Sequence, residues 1–250
     1  MIKVLMCGCN GRMGRAITMM LAKEEEMQIV AGVDPMTGVA NNYPVFKSIS
    51  EVDVPCDVVI DFSSSRTTTE LLQYCVETNT PVVLCSTGHS EEQLVQIHET
   101  AKNVAILKSG NMSLGINVLE KLLKQAVQIL GNEGYDIEIV EKHHNLKLDA
   151  PSGTALDLAN CMNEAVDNKY HYVYDRTTRR EKRDENEIGI SSIRGGSIVG
   201  DHDVIFAGQD EVITFSHSAY SRAIFAKGAI TAAKFLAGKE PGFYTMQDVI

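Results

Sequence analysis

Ile2-Lys3-Val4-Leu5-Met6-Cys7-Gly8-Cys9-Asn10-Gly11-Arg12-Met13-Gly14 opens as an apolar run, turns on Gly8, Gly11 and Gly14, and passes into a helical pattern through Leu21. Strand, glycine turn and helix in that order form the context a dinucleotide site requires. The glycines let the backbone approach a pyrophosphate, and the helix N-terminus stabilises its charge. The spacing is G-x-x-G-x-x-G, with Asn10 where the commoner pattern has its second glycine, and such a turn also serves plain packing. A second apolar run, Gln28 to Val33, ends in Asp34, twenty residues after Gly14, where an acid hydrogen-bonds an adenosine ribose. Gly8, Cys9, Asn10, Gly11, Arg12, Met13 and Asp34 are therefore the expected cofactor contacts of this half. Asp34 would repel a 2′-phosphate, and Pro35, Met36, Thr37 and Gly38 bring no positive charge. NADH is the expected cofactor, with NADPH a secondary one admitted by Arg12 or Arg15.

Downstream, residues 35–54 form a Gly-, Asn- and Ser-rich loop with one short strand at Val45-Phe46 and no assignable role. Apolar strands over 56–62, 81–85 and 104–107 then alternate with helical patterns, one of which starts in a capping box, Ser90 to Gln93. This alternation predicts an α/β, Rossmann-like doubly wound parallel sheet covered on both faces, with ligands beyond the carboxyl ends of its strands. Ser63 falls there, as do Ser86, Thr87 and Gly88, and Ser109, Gly110, Asn111 and Met112. These three groups are the expected lining of the nicotinamide half. Residues 109–113 are small and polar enough for a hinge about which two domains close on their ligands. The boundary is drawn there: a dinucleotide-binding domain over 1–112, completed by 218–250 with a helix from about Ser221 to Ala237, and a second α+β domain over 113–217.

The second domain begins with a helix at Ser113 whose apolar residues, Leu119, Leu122, Leu123, Ala126, Ile129 and Leu130, are expected to be core, and which stops at Gly131. Residues 167–187 mix Arg176, Arg179, Arg180, Lys182 and Arg183 with acids and suggest a solvated excursion. From Ile188 to His217 the period turns to two, broken at Gly195-Gly196, Gly200 and Gly208. With the run Asp136 to Val140 these segments predict an open mixed sheet. The strand at 136–140 leads into Glu141-Lys142-His143-His144-Asn145-Leu146-Lys147-Leu148-Asp149-Ala150-Pro151-Ser152-Gly153-Thr154. Adjacent imidazoles near an amine place proton-transfer and anion-binding groups together. Pro151 and Ser152 suit the start of a helix, from about Thr154 to Val166, whose first amides attract a carboxylate. An anionic small molecule is implied, although a histidine pair at a strand end is also an ordinary surface feature.

Composition narrows the class. The chain has 250 residues, 44% hydrophobic and 22% charged. It contains no apolar run of the roughly 18 to 20 residues a membrane helix needs. A net charge of −10 argues against nucleic acid, whose binding relies on a basic surface. The six cysteines are scattered and suggest buried free thiols; Cys7-Gly8-Cys9 admits a metal in principle, but a strand-to-helix turn favours packing, and no metal site is expected. The N-terminal apolar stretch is too short for a signal peptide, so a cytoplasmic protein is expected.

The run His143-His144-Asn145-Leu146-Lys147-Leu148-Asp149-Ala150-Pro151-Ser152-Gly153-Thr154-Ala155 closely resembles the H-H-x-x-K-x-D-A-P-S-G-T-A signature of the 4-hydroxy-tetrahydrodipicolinate reductase family. Gly11-Arg12-Met13-Gly14-Arg15 and Arg194 to His202 are similar to the same family, and the resemblance spans essentially the whole chain. The family's G-T-T appears as Ser86-Thr87-Gly88, a partial departure. The resemblance implies NAD(P)H-dependent reduction of a cyclic dicarboxylate imine in lysine and diaminopimelate biosynthesis. It implies His143 and Lys147 as the proton-transfer pair, and His144, Ser152, Gly153 and Thr154 as the holders of the substrate carboxylates. It also makes 113–217 a substrate-binding and oligomerisation domain of a homotetramer. Two other readings stand against it. Another two-domain dehydrogenase of amino-acid metabolism leaves the His-His-x-x-Lys run without a task, and an inert nicotinamide-sensing module requires a missing catalytic residue, whereas none is missing.

Overall fold

β1 (Ile2–Cys7) shows how the first sheet is buried: Val4 and Met6 join one apolar cluster and Leu5 and Cys7 another, because successive side chains of a strand point to opposite faces. The computed structural model, which describes residues 1–250, continues with α1 (Arg12–Leu21), β2 (Met27–Val33), β3 (Val45–Phe46), β4 (Val58–Asp61), α2 (Thr68–Thr78), β5 (Val82–Leu84), α3 (Glu91–Thr100) and β6 (Ala105–Lys108). Next come α4 (Leu114–Leu130), β7 (Asp136–His143), α5 (Gly153–Glu164), β8 (His171–Val173), β9 (Glu187–Arg194), β10 (Gly200–Ala207) and β11 (Val212–Ala219). The chain ends with α6 (Ala223–Leu236) and β12 (Gly242–Tyr244). Contacts divide it into two units, Met1–Leu114 with Ala223–Ile250, and Gly115–Arg222. No helix is long and apolar enough to cross a membrane.

In the first unit seven parallel strands run in the order β12-β6-β5-β4-β1-β2-β3. Helices α1 and α6 supply Ile17, Leu21, Ala226, Ala229 and Ala233 to one face, while α2 and α3 supply Leu71, Leu72, Cys75 and Ile97 to the other. The alternation had predicted this doubly wound arrangement. β12, a strand of three residues that directly follows Pro241, escaped it. The order reverses beside β1, whose neighbours β2 and β4 lie on opposite sides, so the ends of β1, β2 and β4 open a crevice at the switch point. The 35–54 loop acquires a role here. Asn41 donates to Asn10 Oδ1 (3.0 Å), Tyr43 bonds Thr18 across 2.8 Å, and β3 forms the sheet edge.

The second unit carries the five-stranded mixed sheet in the order β11-β10-β7-β9-β8. Ile137, Ile139, Ile188, Ile190, Val204 and Phe206 meet α4 and α5 on one face. The expected α4 stripe needs correction: Leu122 and Ile129 are 46% and 65% exposed, and the buried line is Ile116, Leu119, Leu123 and Val127. A helix laid on a flat sheet buries a stripe narrower than its apolar face. Cys56 is half-buried, unlike the other five thiols. The solvated excursion at 167–187 is also corrected. It contains β8, and Arg176, Arg179 and Arg183 turn inward on Glu187, which is fully buried at the start of β9. Arg176 and Arg183 also reach Glu138 (2.6 and 3.1 Å), next to Gly189, where a Cβ would occupy the carboxylate's place.

Candidate active site

The glycine turn is built for close approach. Gly8 has φ 77°, and a Cβ on it would lie 2.7 Å from the Phe62 carbonyl oxygen; Gly14 would press on the backbone of Gly8 and Cys9. We expect Gly8→Ala to lower unfolding free energy by more than about 2 kcal/mol and to weaken nicotinamide binding, because the left-handed backbone and the clash add. Urea unfolding and a fluorescence titration with NADH test this; an unchanged midpoint would show that the turn tolerates a side chain. Gly11 is the N-cap of α1 and no side chain caps that helix, which leaves its first turn suited to an anion.

Around this turn lies a cleft of about 500 Å³ lined by Gly8, Gly11, Asp34, Lys47, Asp61 and Ser63 among others. These features fit a dinucleotide. Asp34 is buried, and its carboxylate accepts from Asn10 N (3.0 Å) and Met36 N (2.9 Å), so it shapes the turn as well as facing the cleft. Cys9 and Asn10 are themselves buried, and the Asn10 amide is used on Met36 O (2.6 Å) and Asn41. Their side chains brace the turn. Arg12 and Arg15 are exposed on α1. The basic residue that the sequence did not reveal is Lys47, which follows β3 and lines the same cleft as Asp34. Register alone brings it there, since β3 pairs with the end of β2.

Asp61 ends β4, buried, with Ser63 donating to it from backbone and hydroxyl. Burial pushes its carboxyl up, against the hydrogen bonds of Ser63 and Ser86. Ser86 is buried and bonds His89, whereas Thr87 and Gly88 are exposed. Ser109 Oγ donates to Asn111 O (2.8 Å), and Asn111 Oδ1 accepts from Ser113 N (2.9 Å), so 109–113 is a braced turn. Gly110 is exposed at its tip. Met112 is core: its side chain joins the α1/α6 cluster and its carbonyl packs on Gly228.

The histidine stretch lies wholly in the second unit. The two-residue period of β7 puts Glu141 and His143 on the helix-covered face with Ile137 and Ile139, and Lys142 on the other, paired with Asp203 at 2.9 Å. Register sets His202 and Ser192 opposite Glu141, and Arg194 opposite His143. A buried polar cluster results. Glu141 accepts from Arg194 Nη1 and Nη2 (2.8 and 2.7 Å), from His143 Nδ1 (2.6 Å) and from Ser152 N (3.1 Å). Burial raises its pKa, but those bonds prevail and hold it down to about 2. His202, buried and bonded to Ser152 Oγ (3.1 Å), is pushed down to about 4 by burial and by His143. Of this cluster the sequence reading assigned no role to Glu141, Arg194 or His202. Glu141 was legible, two residues before His143 on a strand and hence on its face; the other two are more than fifty residues away.

After β7 the chain crosses a loop tied by Gly195 N to His143 O (2.9 Å) and Asn145 N to Gly196 O (3.2 Å). His144 is half-buried, and its Nδ1 is buried with no hydrogen-bond partner. Lys147 pairs with Asp149 at 2.9 Å. Ser152 is the N-cap of α5, accepting from Ala155 N, and Gly153 is exposed ahead of Thr154 in the first turn. Pro151 stands just outside the helix and not in its first turn. One unit therefore gathers two imidazoles, an ammonium and a helix N-terminus.

A parallel nucleotide-type sheet, with a second unit that carries two adjacent imidazoles and an ammonium, fits a nicotinamide-dependent oxidoreductase. The family model described as dihydrodipicolinate reductase, N-terminus, matches residues 2–112, and that of the C-terminus matches residues 115–250. The chain belongs to the dihydrodipicolinate reductase family. It is 51% identical over 250 residues to a 4-hydroxy-tetrahydrodipicolinate reductase of Caldanaerobacter subterraneus subsp. tengcongensis, covering 100% of this chain and 98% of that one. Its identity to the Clostridium tetani protein of the same name is 50% over 246 residues, with 98% and 96% covered. A dipicolinate-bound dihydrodipicolinate reductase from Paenisporosarcina sp. TG-14 is similar over 100% of both chains, at 25% identity and TM-score 0.84.

Proposed function

We propose that this chain reduces 4-hydroxy-tetrahydrodipicolinate to 2,3,4,5-tetrahydrodipicolinate, in lysine and diaminopimelate biosynthesis, with its first unit as the dinucleotide-binding domain and its second as the substrate-binding one. The observation that carries this reading is the gathering of His143, His144, Lys147 and the α5 N-terminus in one unit of a chain that matches the family throughout. The nicotinamide supplies hydride when bound. His143 and Lys147 form the proton-transfer pair. His144, whose Nδ1 is buried without a partner, and the first turn of α5 at Gly153 and Thr154 hold the two carboxylates. Ser152, whose amide and hydroxyl are taken by Glu141, Ala155 and His202, serves them by holding that turn in place. The test is loss of NADH or NADPH absorbance on adding freshly formed dihydrodipicolinate-synthase product; no oxidation with either cofactor would overturn the reading. A homotetramer built through the open face of the five-stranded sheet, in the cytoplasm, belongs to the same proposal, and light scattering measures the assembly directly.

The cofactor preference is a balance between Asp34 and Lys47. Asp34 faces the ribose with a charge that opposes a 2′-phosphate, and Lys47 brings one that attracts it. Asp34 is buried and Lys47 exposed, so the acid is screened less and should prevail. We expect NADH to be used at least as well as NADPH, with Asp34→Ala shifting kcat/KM towards NADPH and Lys47→Ala shifting it away. A wild-type preference for NADPH beyond about tenfold, equivalent to 1.4 kcal/mol, would show that Lys47 outweighs Asp34.

A further inference from the structure

We infer that Glu141 is a positioning residue that fixes the tautomer and orientation of His143, in a cluster that also ties the N-terminus of α5 to the same carboxylate. The inference rests on the reading of His143 as a proton-transfer group and deepens it. Glu141 is fully buried, a costly place for a carboxylate unless its oxygens are satisfied. They are. The Arg194 guanidinium, which is always charged, meets both oxygens in a fork, and the Ser152 amide takes a further lone pair. A carboxylate so held is an acceptor only, so the proton between it and His143 sits on Nδ1. Nε2 is then the ring atom that exchanges a proton with substrate.

The surroundings of Nε2 agree with that assignment. It faces Gly200, where a Cβ would stand 3.0 Å away, so the glycine keeps that edge of the ring clear. His202 crosses the ring edge-on with centroids 5.2 Å apart, and its own Nε2 is engaged with Ser152 Oγ. The ring is thus gripped on its Nδ1 side, while Nε2 lies against Gly200 and is spared a side chain there. Arg194 extends the grip, because its Nη2 also donates to Asp149 O at 2.6 Å, the residue that pairs with Lys147. One carboxylate therefore fixes His143, the first amide of the carboxylate-binding turn and, through Arg194, the loop bearing Lys147.

The test is Glu141→Gln in the full-length enzyme, assayed with NADH and fresh synthase product. The carboxamide can keep its oxygen on the Ser152 amide while turning its NH2 towards His143, which leaves the carboxylate-binding turn in place but demands the wrong tautomer. So kcat should fall by at least about 10-fold and by up to about 10⁴-fold, the loss when the carboxylate orienting a catalytic imidazole becomes an amide. KM and the NADH dissociation constant should stay within about twofold. A fall shared equally by KM or NADH affinity marks a merely structural role and overturns the inference. His143→Ala is the control. If it keeps wild-type turnover, the reading of His143 itself fails. If it is impaired while Glu141→Gln is not, only the positioning role fails. Should Glu141→Gln not fold, long-range ¹H–¹⁵N spectra of the wild-type imidazoles at pH 8, assigned by loss of signal in His143→Ala, decide the matter. A proton on Nδ1 with Nε2 bare is expected, and the opposite tautomer overturns the inference.

Discussion

His143→Ala and Lys147→Ala are each expected to lower kcat by about 10²- to 10⁴-fold, the contribution of a positioned acid or base. NADH binding should survive both substitutions, because these residues belong to Gly115–Arg222 whereas the nucleotide cleft is built from the other unit. Lys147 is paired with Asp149, and that pair does not weaken the expectation. Asp149 is 59% exposed, and ion pairs of this kind are worth about 0–1 kcal/mol, so the ammonium is released to substrate at little cost. Asp149→Asn should accordingly leave turnover within a few-fold. His144→Ala is expected to act chiefly on KM, since its proposed task is to hold a carboxylate in ground state and transition state alike. Steady-state kinetics with both substrates varied separate the three. Wild-type turnover in either His143→Ala or Lys147→Ala would remove that residue from the chemistry.

Glu187→Ala should destabilise the protein by about 3 kcal/mol, the low end of the cost of breaking a buried ion pair. Removing it leaves Arg176, Arg179 and Arg183 gathered around an apolar hole, with only Glu138, Asp136 and Glu181 to share them. The low end applies because these arginines are partly in water, Arg176 being 38% exposed, and recover some hydration. Burial raises the Glu187 carboxyl, and the bonds from Arg176 and Arg179 outweigh it, so its pKa lies below the ordinary value. A depressed carboxyl contributes stability in full above the unfolded-state value near 4.3 and loses it progressively as pH falls through the folded-state value. Wild type and Glu187→Ala should therefore differ in unfolding free energy at pH 7 and converge on acidification. A difference below about 1 kcal/mol at pH 7 would mean that the arginines stay where they are without it.

That cluster marks the limit of what a one-dimensional pattern conveys. Apolar runs of β1, β2, β4 and β5 alternating with helices determine a parallel sheet, because buried strands must show apolar faces on both sides. The glycine turn with Asp34 marks a candidate nucleotide crevice and the run from His143 to Thr154 a candidate site, since all are local in the chain. By contrast, Arg176, Arg179 and Arg183 look like surface charges until β9 brings a buried Glu187 among them. Lys47 looks like a loop residue until β3 lies down beside β2. Leu122 and Ile129 look like core until α4 meets a sheet that covers only one stripe of it. Arg194 and His202 reach Glu141 only through the pairing of β7 with β9 and β10. Patterning by itself determined the architecture, and the glycine turn and the histidine stretch were singled out from local sequence. The tertiary structure alone decided which charges are paired, which ring nitrogen of His143 meets Glu141 and which basic group shares the cleft with Asp34, because strand register brings together residues whose separation along the chain carries no signal of contact.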